Sequence, residues 1–384
     1  MASQPSPGFG PEFEKEITQE IDEVQKRLLT VSIVGQTGVG KTSLLKALFN
    51  KALFTKNGGR SIVIDDVRPA TRNPETYTIE GDRGQLLTIN DLPGIGESSS
   101  ADKCHFETYL RYFGSSDIVI WAIQADSRST TFDAQSLDHL LKELKDDQSR
   151  EQLMSKMVFV LTKVDTLLPS PWIMLYNSHT AKFRPGPETW KLIQDKQEFF
   201  QEQLIQPFEK YIVSRTHNDT KFVLDVHNSN SLLGSPFSAD ENKVIHRGFL
   251  KKEDVEKLSR AYPQNKRIFE RLYDSYCPIY CSARFQFSLT TLVLAIFNRL
   301  GSDVLQNFKR VVDPDRLGIM SLDEARQLSN LLILNEPDRR RILDLEKGKF
   351  PDPVLDVVFY EKKVEKKKVE KQRKGPFGWF ERKK

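Results

Sequence analysis

The sequence has few of the residues that crosslink small secreted domains or bind transition metals. Its 384 residues include three cysteines, Cys104, Cys277 and Cys281, and six histidines. A sparse, odd set of cysteines cannot form a disulfide framework, so we expect a reducing compartment, most simply the cytoplasm. Cys277 and Cys281 lie four residues apart without a matching His or Cys cluster, which favours core packing over zinc binding.

Long apolar runs are also missing. The longest run, near 292–297, is far shorter than the roughly 20 residues that a membrane helix requires. The segment Met1–Pro7 has neither a basic start nor an apolar core, so we expect no secretory signal. The protein is therefore expected to be cytoplasmic, with peripheral attachment to a membrane as a second possibility.

Most of the chain lacks an excess of either charge. The net charge is +4, yet residues 361–384 alone contain eleven Lys or Arg and four Glu. The body of the chain is thus slightly acidic, which argues against a nucleic-acid-binding surface there. The tail also contains Phe377, Trp379 and Phe380. Three hypotheses stay open for it: a solvated tail, an anchor to anionic membranes, or an RNA-binding segment.

Apolar segments alternate with helical patterns along the chain. Residues 29–34, 86–90, 117–125 and 157–161 are apolar enough for buried parallel strands, and amphipathic helical patterns lie between them. The predicted fold class is α/β, with a mostly parallel sheet and helices on both faces.

The pattern divides the chain into four regions. Residues 1–28 are expected to form a disordered start and an N-terminal helix, which either packs on the next domain or dimerises. Residues 29–300 form the main domain, in which 166–276 are a helical and loop insertion before the last strand. Residues 301–350 are expected to be a small helical region, and 351–384 a basic aromatic tail.

A glycine-rich segment follows the first predicted strand and opens a helix, as the phosphate-binding pattern GxxxxGK[ST] requires. Glycines let backbone N–H groups surround phosphate oxygens, and the helix N-terminus adds partial positive charge. Lys41, which we expect to be exposed, would contact the terminal phosphates, and Thr42 would bind Mg²⁺. The predicted nucleotide-binding residues of this loop are Gly35, Gln36, Thr37, Gly38, Val39, Gly40, Lys41, Thr42 and Ser43.

Three later motifs bear on the phosphates and the base. In Asp91-Leu-Pro-Gly94 the carboxylate can hold the Mg²⁺ shell and the Gly94 N–H can meet the γ-phosphate. In Thr162-Lys163-Val164-Asp165 the carboxylate can accept hydrogen bonds from guanine N1–H and its 2-amino group, a donor pair that adenine lacks, while the Lys163 stem covers the base. In Cys281-Ser282-Ala283 a backbone N–H can reach guanine O6.

The ordered set GQTGVGKT, DLPG, TKVD and CSA resembles the Ras-like G domain, over about residues 29–300 without the insertion. It is most similar to the Era/septin-like group, which includes small bacterial Era-like GTPases. The resemblance implies hydrolysis of GTP to GDP and phosphate with Mg²⁺, used as a switch or an assembly cue. The alternative is a non-hydrolysing scaffold that binds GTP or GDP and recruits a partner.

The same resemblance assigns the switch threonine and the catalytic residues. Thr71, in Pro69-Ala-Thr71-Arg72, would contact Mg²⁺ and the γ-phosphate; Thr76 and Ser61 compete for that role. The implied catalytic residues are Lys41 and Thr71. The implied metal ligands are Thr42, Thr71 and Asp91.

The sequence departs from the family pattern at three positions. Thr162 stands where Asn is frequent, a variant that should keep the preference for guanine. Gly38 stands where some relatives use Asn to recruit K⁺, which argues against K⁺ activation. Ile95 stands where Ras-like proteins position the attacking water with Gln. The resemblance therefore implies slow hydrolysis, activated by pairing of G domains in a homodimer or by a partner.

Overall fold

The computed structural model describes residues 29–49, 74–81, 84–95, 99–128, 130–167, 172–176, 179–217, 237–240, 243–300, 317–325 and 327–328. Several sequence predictions lie outside these ranges and stay predictions. They are the N-terminal helix within 1–28, the switch candidates Thr71 and Ser61, most of the region 301–350, and the tail 351–384.

A six-stranded sheet forms the centre of the main domain. Its strand order is β11-β5-β4-β1-β3-β2, and every neighbouring pair is parallel except β2 and β3. The inner strands β1 and β4 are almost wholly buried because helices cover both faces. The strands are β1 (Leu29–Gly35), β2 (Glu75–Gly81), β3 (Gly84–Asp91), β4 (Ile118–Gln124), β5 (Met157–Thr162) and β11 (Ile279–Tyr280).

Within the residues that the model describes, five helices accompany this sheet, and two apolar cores lie on its opposite faces. They are α1 (Lys41–Phe49), α2 (Ser99–Ser115), α3 (Thr131–Glu143), α4 (Asp147–Lys156) and α8 (Leu289–Arg299). One core contains Tyr109 of α2 and Leu137 of α3. The other contains Leu44 of α1 and Leu292 of α8. The predicted α/β class with a mostly parallel sheet and helices on both faces is confirmed.

Two elements were not predicted from the sequence, because their apolar patterns are weak. Strand β2 has the sequence ETYTIEG and lies at an edge of the sheet, antiparallel to β3. Helix α4 buries only Leu153 and Met154 along its ten residues. Edge elements of this kind need few apolar side chains, so periodicity does not reveal them.

The segment between Asp165 and Cys277 contains five strands as well as the expected helices. The helices are α5 (Pro187–Phe200), extended by a π-helical turn and a 3₁₀ turn to Tyr211, and then α6 (Lys252–Ala261) and α7 (Lys266–Asp274). The strands are β6 (Trp172–Tyr176), β7 (Thr180–Pro185), β8 (Val213–His217), β9 (Phe237–Asp240) and β10 (Lys243–Arg247). The predicted helical and loop insertion therefore also contains strands. They are only four to six residues long, and all except β6 mix polar with apolar residues.

The insertion strands belong to two small antiparallel sheets. One has the order β8-β10-β9 and packs on α6 and α7 around its own apolar core. The other has the order β12-β7-β6, where β12 (Met320–Ser321) comes from the region after α8. Chain from beyond the main domain therefore completes a sheet of the insertion.

The described part of the C-terminal region begins with a turn and a capped helix start. The Ser321 hydroxyl accepts from the Glu324 amide at 3.2 Å, and the Ser321 amide donates to the Glu324 carboxylate at 3.3 Å. This reciprocal pair is a capping box. Of the helices in the described ranges, none has the length and apolar character needed to cross a membrane.

Candidate nucleotide-binding site

The loop after β1 curves sharply because three of its glycines adopt positive φ. Gly38 and Gly40 have φ of +81° and +92°, and Gly35 has +149°. A Cβ atom on Gly35 would lie 2.1 Å from the carbonyl oxygen of Ala122 in β4. The glycines are thus required both by backbone conformation and by the close approach of β1 and β4.

Lys41 lies inside this loop, not at the surface. Its side chain is only 6% exposed, and its ammonium donates to the carbonyls of Gly35 at 3.0 Å and Gln36 at 3.1 Å. The expectation that Lys41 is exposed was therefore wrong, because the long side chain folds back over the loop and bonds its carbonyls. The ammonium stands at the centre of the loop, where a phosphate would meet it.

Thr42 and Asp91, two of the predicted metal ligands, contact each other directly. The Thr42 hydroxyl donates to the Asp91 carboxylate at 2.6 Å, and Asp91, at the end of β3, is fully buried. Hydroxyl and carboxylate oxygens are the hard donors that Mg²⁺ prefers. These two residues therefore fit the predicted magnesium site, with phosphate and water supplying other ligands.

The Asp91–Gly94 segment runs directly beside the phosphate loop. The Leu92 amide donates to Ile33 at 3.1 Å, and the Tyr109 hydroxyl of α2 donates to the Pro93 carbonyl at 3.0 Å. A Cβ atom on Gly94 would lie 1.9 Å from the Thr37 hydroxyl oxygen. Only glycine fits there, which brings the Gly94 N–H beside the loop that would hold the phosphates.

Ile95 points away from that region into the apolar core. Its side chain is 2% exposed and packs within the core that includes Trp121 and Leu137. Its amide donates to the Gly35 carbonyl at 3.1 Å, which fixes the backbone at this position. Ile95 stands where Ras-like proteins have the water-positioning Gln. It has no hydrogen-bonding side chain, and its side chain packs in the core, so it cannot orient water.

The Thr162–Asp165 turn is attached to the phosphate loop by two side chains. The Thr162 hydroxyl donates to the Val39 carbonyl at 2.5 Å. The Lys163 ammonium donates to the Gly38 carbonyl at 2.6 Å, and Lys163 itself has a left-handed φ of 54°. Thr162 thus links the base motif to the phosphate loop although it replaces the more frequent Asn.

Asp165 and the last motif meet at the end of the sheet. The Val164 amide donates to the Cys281 carbonyl at 3.3 Å. The buried Cys281 thiol has a raised pKa, mainly from burial and partly from the nearby Asp165 charge. Asp165 therefore lies next to the strand exit from which Ser282 and Ala283 follow.

The backbone amide of Ser282 is hydrogen-bonded within the loop after β11 and is therefore not available to a guanine base. Its amide donates to the Phe287 carbonyl at 3.1 Å, and its hydroxyl accepts from the Phe285 amide at 3.0 Å. We call residues Ser282–Phe287 the base loop. Since Ser282 is fully buried, the Ala283 amide is the better candidate donor to guanine O6.

A buried polar network beside Gln36 was not foreseen. The Gln36 side-chain amide donates to Asp133 at 2.7 Å, and the Trp121 indole N–H donates to the same carboxylate at 3.0 Å. Burial raises the Asp133 pKa, and both hydrogen bonds oppose that shift. The sequence predicts that Asp133 lies at the start of a helix. Its contact with Gln36 joins residues 97 positions apart, so no local sequence pattern reveals it.

The remaining site predictions have mixed outcomes. Ser43 follows Thr42 in the first turn of α1. Thr71 lies outside the described residues. Its competitor Thr76 is part of β2 and donates its hydroxyl to Asn90 at 2.9 Å, which does not favour a role at the phosphates.

Cys277 and Cys281 are buried free thiols of the core, as predicted. Burial raises the Cys277 pKa to about 12. Two thiols alone do not supply the three or four protein ligands of a zinc site. Within the described residues, no group of three or more His, Cys, Asp or Glu is placed to hold a metal ion.

Comparison with known proteins agrees with this geometry. The family model described as 50S ribosome-binding GTPase matches residues 30–163, from β1 to the Thr162–Asp165 turn. Residues 30–163 therefore resemble a P-loop GTPase domain, or G domain. The match covers the phosphate loop, Asp91–Gly94 and Lys163, whereas the base loop of this G domain lies beyond it.

Two curated relatives match over 155 residues each. They are the uncharacterized proteins YkfA and YfjP of Escherichia coli strain K12, at 32% and 30% identity. Each alignment covers 40% of this chain and 48% of the relative. The chain thus spans about half the length of the curated relatives it matches.

Solved structures resemble the G domain only loosely. Toc33 from Arabidopsis thaliana, in complex with Mg²⁺ and GMPPNP, matches with a TM-score of 0.34 and 16% identity over 53% of this chain and 77% of that one. Era from Aquifex aeolicus, bound to GDP·AlF4⁻, matches with a TM-score of 0.30 and 18% identity over 46% and 48%.

Proposed function

We propose that the protein binds GTP and hydrolyses it slowly to GDP and phosphate, as a nucleotide-dependent switch or assembly cue. One observation carries this proposal: the phosphate motifs and the base motif are tied into one site. Thr42 reaches Asp91 at 2.6 Å, and Lys163 reaches Gly38 at 2.6 Å. A site built this way can hold phosphates and a guanine base at the same time.

The residues of the chain have distinct roles in this proposal. The Lys41 ammonium and the loop amides stabilise negative charge on the phosphates. Thr42 and Asp91 would hold Mg²⁺, which would supply further positive charge there. Asp165 accepts hydrogen bonds from the guanine N1–H and 2-amino group. Charge stabilisation is thus available without a group that orients water.

The buried Ile95 makes slow hydrolysis the expected behaviour of the isolated chain. We expect a basal rate at or below about 10⁻³ s⁻¹, comparable with intrinsic Ras-type turnover. A group supplied in trans, by a second G domain or by a partner, would then raise the rate. The same burial of Ile95 favours a second candidate function, a scaffold that binds GTP or GDP without hydrolysing it.

Single-turnover phosphate release from GTP separates the two candidates. It would be measured with the full chain over a range of protein concentrations, with Lys41→Ala as the control for contaminating phosphatase. Slow release, with a rate per molecule that rises with protein concentration, supports hydrolysis assisted in trans. Tight guanine nucleotide binding without any phosphate release supports the scaffold. A fast rate independent of concentration would show that a residue of the same chain orients the water.

Attachment through the tail 361–384 is a separate part of the proposal. Its eleven basic residues and three aromatic residues suit an anionic membrane surface, where each basic residue contributes about 1 kcal/mol. RNA is the other polyanion that such a tail could bind. Salt-sensitive co-sedimentation with anionic vesicles supports the membrane, and its absence at low salt contradicts it.

A further inference from the structure

The base loop is a short, closed loop with an unusual backbone. Ser282 and Phe287 exchange two backbone hydrogen bonds, at 3.1 and 2.9 Å, and close the loop over the residues between them. Gln286 and Ser288 have left-handed φ values of 50° and 60°. Residues with side chains adopt this conformation only where their surroundings hold it. Contacts with residues outside the loop must therefore stabilise its backbone conformation.

Aromatic side chains of the insertion supply that support. The Phe285 ring, 1% exposed, stacks on Phe183 of β7 with centroids 4.4 Å apart. Trp172 of β6 lies 5.0 Å from both Phe285 and Phe287. Phe287 also stacks on Tyr280 of β11 at 6.0 Å. We call Trp172, Phe183, Phe285 and Phe287 the aromatic clasp.

The chain after the G domain closes the same structure from its outer edge. Strand β12 pairs with β7 through Met320 and Ala181, so β7 lies between β6 and β12. Gly318, with φ of +75°, passes so near the loop that a Cβ atom would lie 3.2 Å from the Gln286 carbonyl oxygen. The segment around Gly318 therefore also contacts the base loop.

The indole of Trp172 contributes its ring rather than a polar contact. Its N–H is buried and makes no hydrogen bond to any described residue. Its two aromatic neighbours are Phe285 and Phe287 of the base loop. A phenylalanine could preserve those contacts, which provides a conservative variant for testing.

We propose that the insertion and β12 complete the guanine site: the aromatic clasp holds the base loop so that the Ala283 amide donates to guanine O6. This inference rests on the proposed guanine-nucleotide binding. Phe285, Phe183 and Trp172 are positioning residues, since they act through the loop and do not touch the base. Asp165 lies on a separate turn and reads the N1–H and 2-amino group without the clasp.

Two analogues separate the two contacts with the base. In 6-thio-GDP a sulfur atom, a weaker acceptor, replaces O6, so the affinity ratio of GDP to 6-thio-GDP reports on the Ala283 amide. IDP lacks only the 2-amino group, so the ratio of GDP to IDP reports on Asp165. Both ratios are obtained by titrating the full chain and its variants with each nucleotide.

Phe285→Leu and Phe183→Leu remove ring contacts from either side of the clasp. We expect each to weaken GDP binding about 3- to 10-fold, the value of one ordinary hydrogen bond, and to bring the GDP to 6-thio-GDP ratio toward one. The GDP to IDP ratio should stay as in the wild type. Trp172→Phe should keep both ratios.

Phe269→Leu is the matched control. Phe269 of α7 is fully buried against Phe237 of β9, in the core beneath the other small sheet of the insertion. The same substitution there loosens the insertion without reaching the base loop. Phe183→Leu changes β7 of the insertion and not the base loop itself, so it keeps the test decisive if Phe285→Leu does not fold. Thermal melting verifies that the compared variants are folded.

Three results would overturn the inference. Unchanged GDP to 6-thio-GDP ratios in both clasp variants would show that the clasp does not position the amide. An equal fall of that ratio in Phe269→Leu would show general loosening. If the wild type binds GDP and 6-thio-GDP equally well but still prefers GDP to ADP, no hydrogen bond to O6 contributes to binding. That result would refute this inference and leave the proposed function unaffected. Failure of the wild type to prefer guanine would refute both.

Discussion

The two ends of the candidate site are held in place by different parts of the chain. At the phosphate end, Gly35–Thr42 and Asp91–Gly94 follow adjacent parallel strands, and backbone hydrogen bonds from Leu92 and Ile95 to β1 fix their spacing. At the base end, the base loop depends on aromatic contacts with the insertion and with residues after α8. The sheet fold alone thus holds the predicted phosphate end, whereas the predicted base end also contacts the insertion and the chain after α8.

This difference assigns a role to the segment that interrupts the G domain. The insertion joins the domain between the Asp165 turn and β11, so both of its ends are attached to base-recognition motifs. Its β6–β7 hairpin packs on the base loop, while its β8-β10-β9 sheet keeps a separate core. Variants at the phosphate end should therefore lose affinity without a change in base preference, whereas variants at the base end should change the preference among bases.

Lys41→Ala should produce the largest effect, and it should act at the phosphate end. Loss of two charge-assisted contacts of about 1.5–3 kcal/mol each predicts at least about 100-fold weaker binding of GDP and GTP. Preference among bases should be unchanged in whatever binding remains. Isothermal titration measures the loss, with Lys46→Ala in the same helix as control. Normal GTP binding by Lys41→Ala would refute the phosphate-loop assignment.

Asp165→Asn should produce the next largest effect, and it should act at the base end. An amide cannot accept both guanine hydrogen bonds, so GDP affinity should fall about 10- to 100-fold. Xanthosine diphosphate should gain affinity, because its 2-oxo group accepts a bond from the new amide. Competition against a fluorescent nucleotide measures both. Asp138→Asn, which removes an exposed carboxylate paired with Lys142, should change neither, and a loss without a gain for xanthine would contradict the assignment.

The sequence predicted the phosphate end better than the base end, for a physical reason. Motifs such as Gly35–Thr42 encode a local conformation, which can be read without knowing the rest of the chain. The Phe183–Phe285 contact joins residues about a hundred positions apart, and nothing local distinguishes it from ordinary core packing. Even at the phosphate end the burial of Lys41 was missed, because a motif does not specify where a flexible side chain folds.

The smallest effect on nucleotide affinity is expected at Asp133, which contacts Gln36 of the phosphate loop and should act mainly on the stability of the fold. Burial raises the pKa of this carboxyl above its ordinary value of 3.8, so its contribution to the free energy of unfolding is lost as the pH rises through the raised pKa. Asn does not titrate, so Asp133→Asn should gain stability relative to the wild type between acidic and neutral pH. The single amide oxygen of Asn can accept from only one of the two donors, Gln36 or Trp121, so Asp133→Asn also carries a cost of about 1–3 kcal/mol at every pH.

Asp133→Ala is the contrasting variant. It leaves the buried Trp121 and Gln36 donors without their acceptor, which costs about 1–3 kcal/mol for each. Urea unfolding at pH 5 and pH 7 measures both variants. Equal stability of Asp133→Ala and the wild type at both pH values would show that the network does not support the loop.

Competition between guanine and adenine nucleotides tests the central claim most directly. The full chain would be loaded with a fluorescent GDP analogue in the presence of Mg²⁺ and titrated with GTP, GDP and ATP. If the two ends form one guanine site, GTP and GDP should displace the analogue at concentrations at least about 100-fold below ATP, the value of two charge-assisted hydrogen bonds at Asp165. Displacement by ATP and GTP at equal concentrations would contradict the claim.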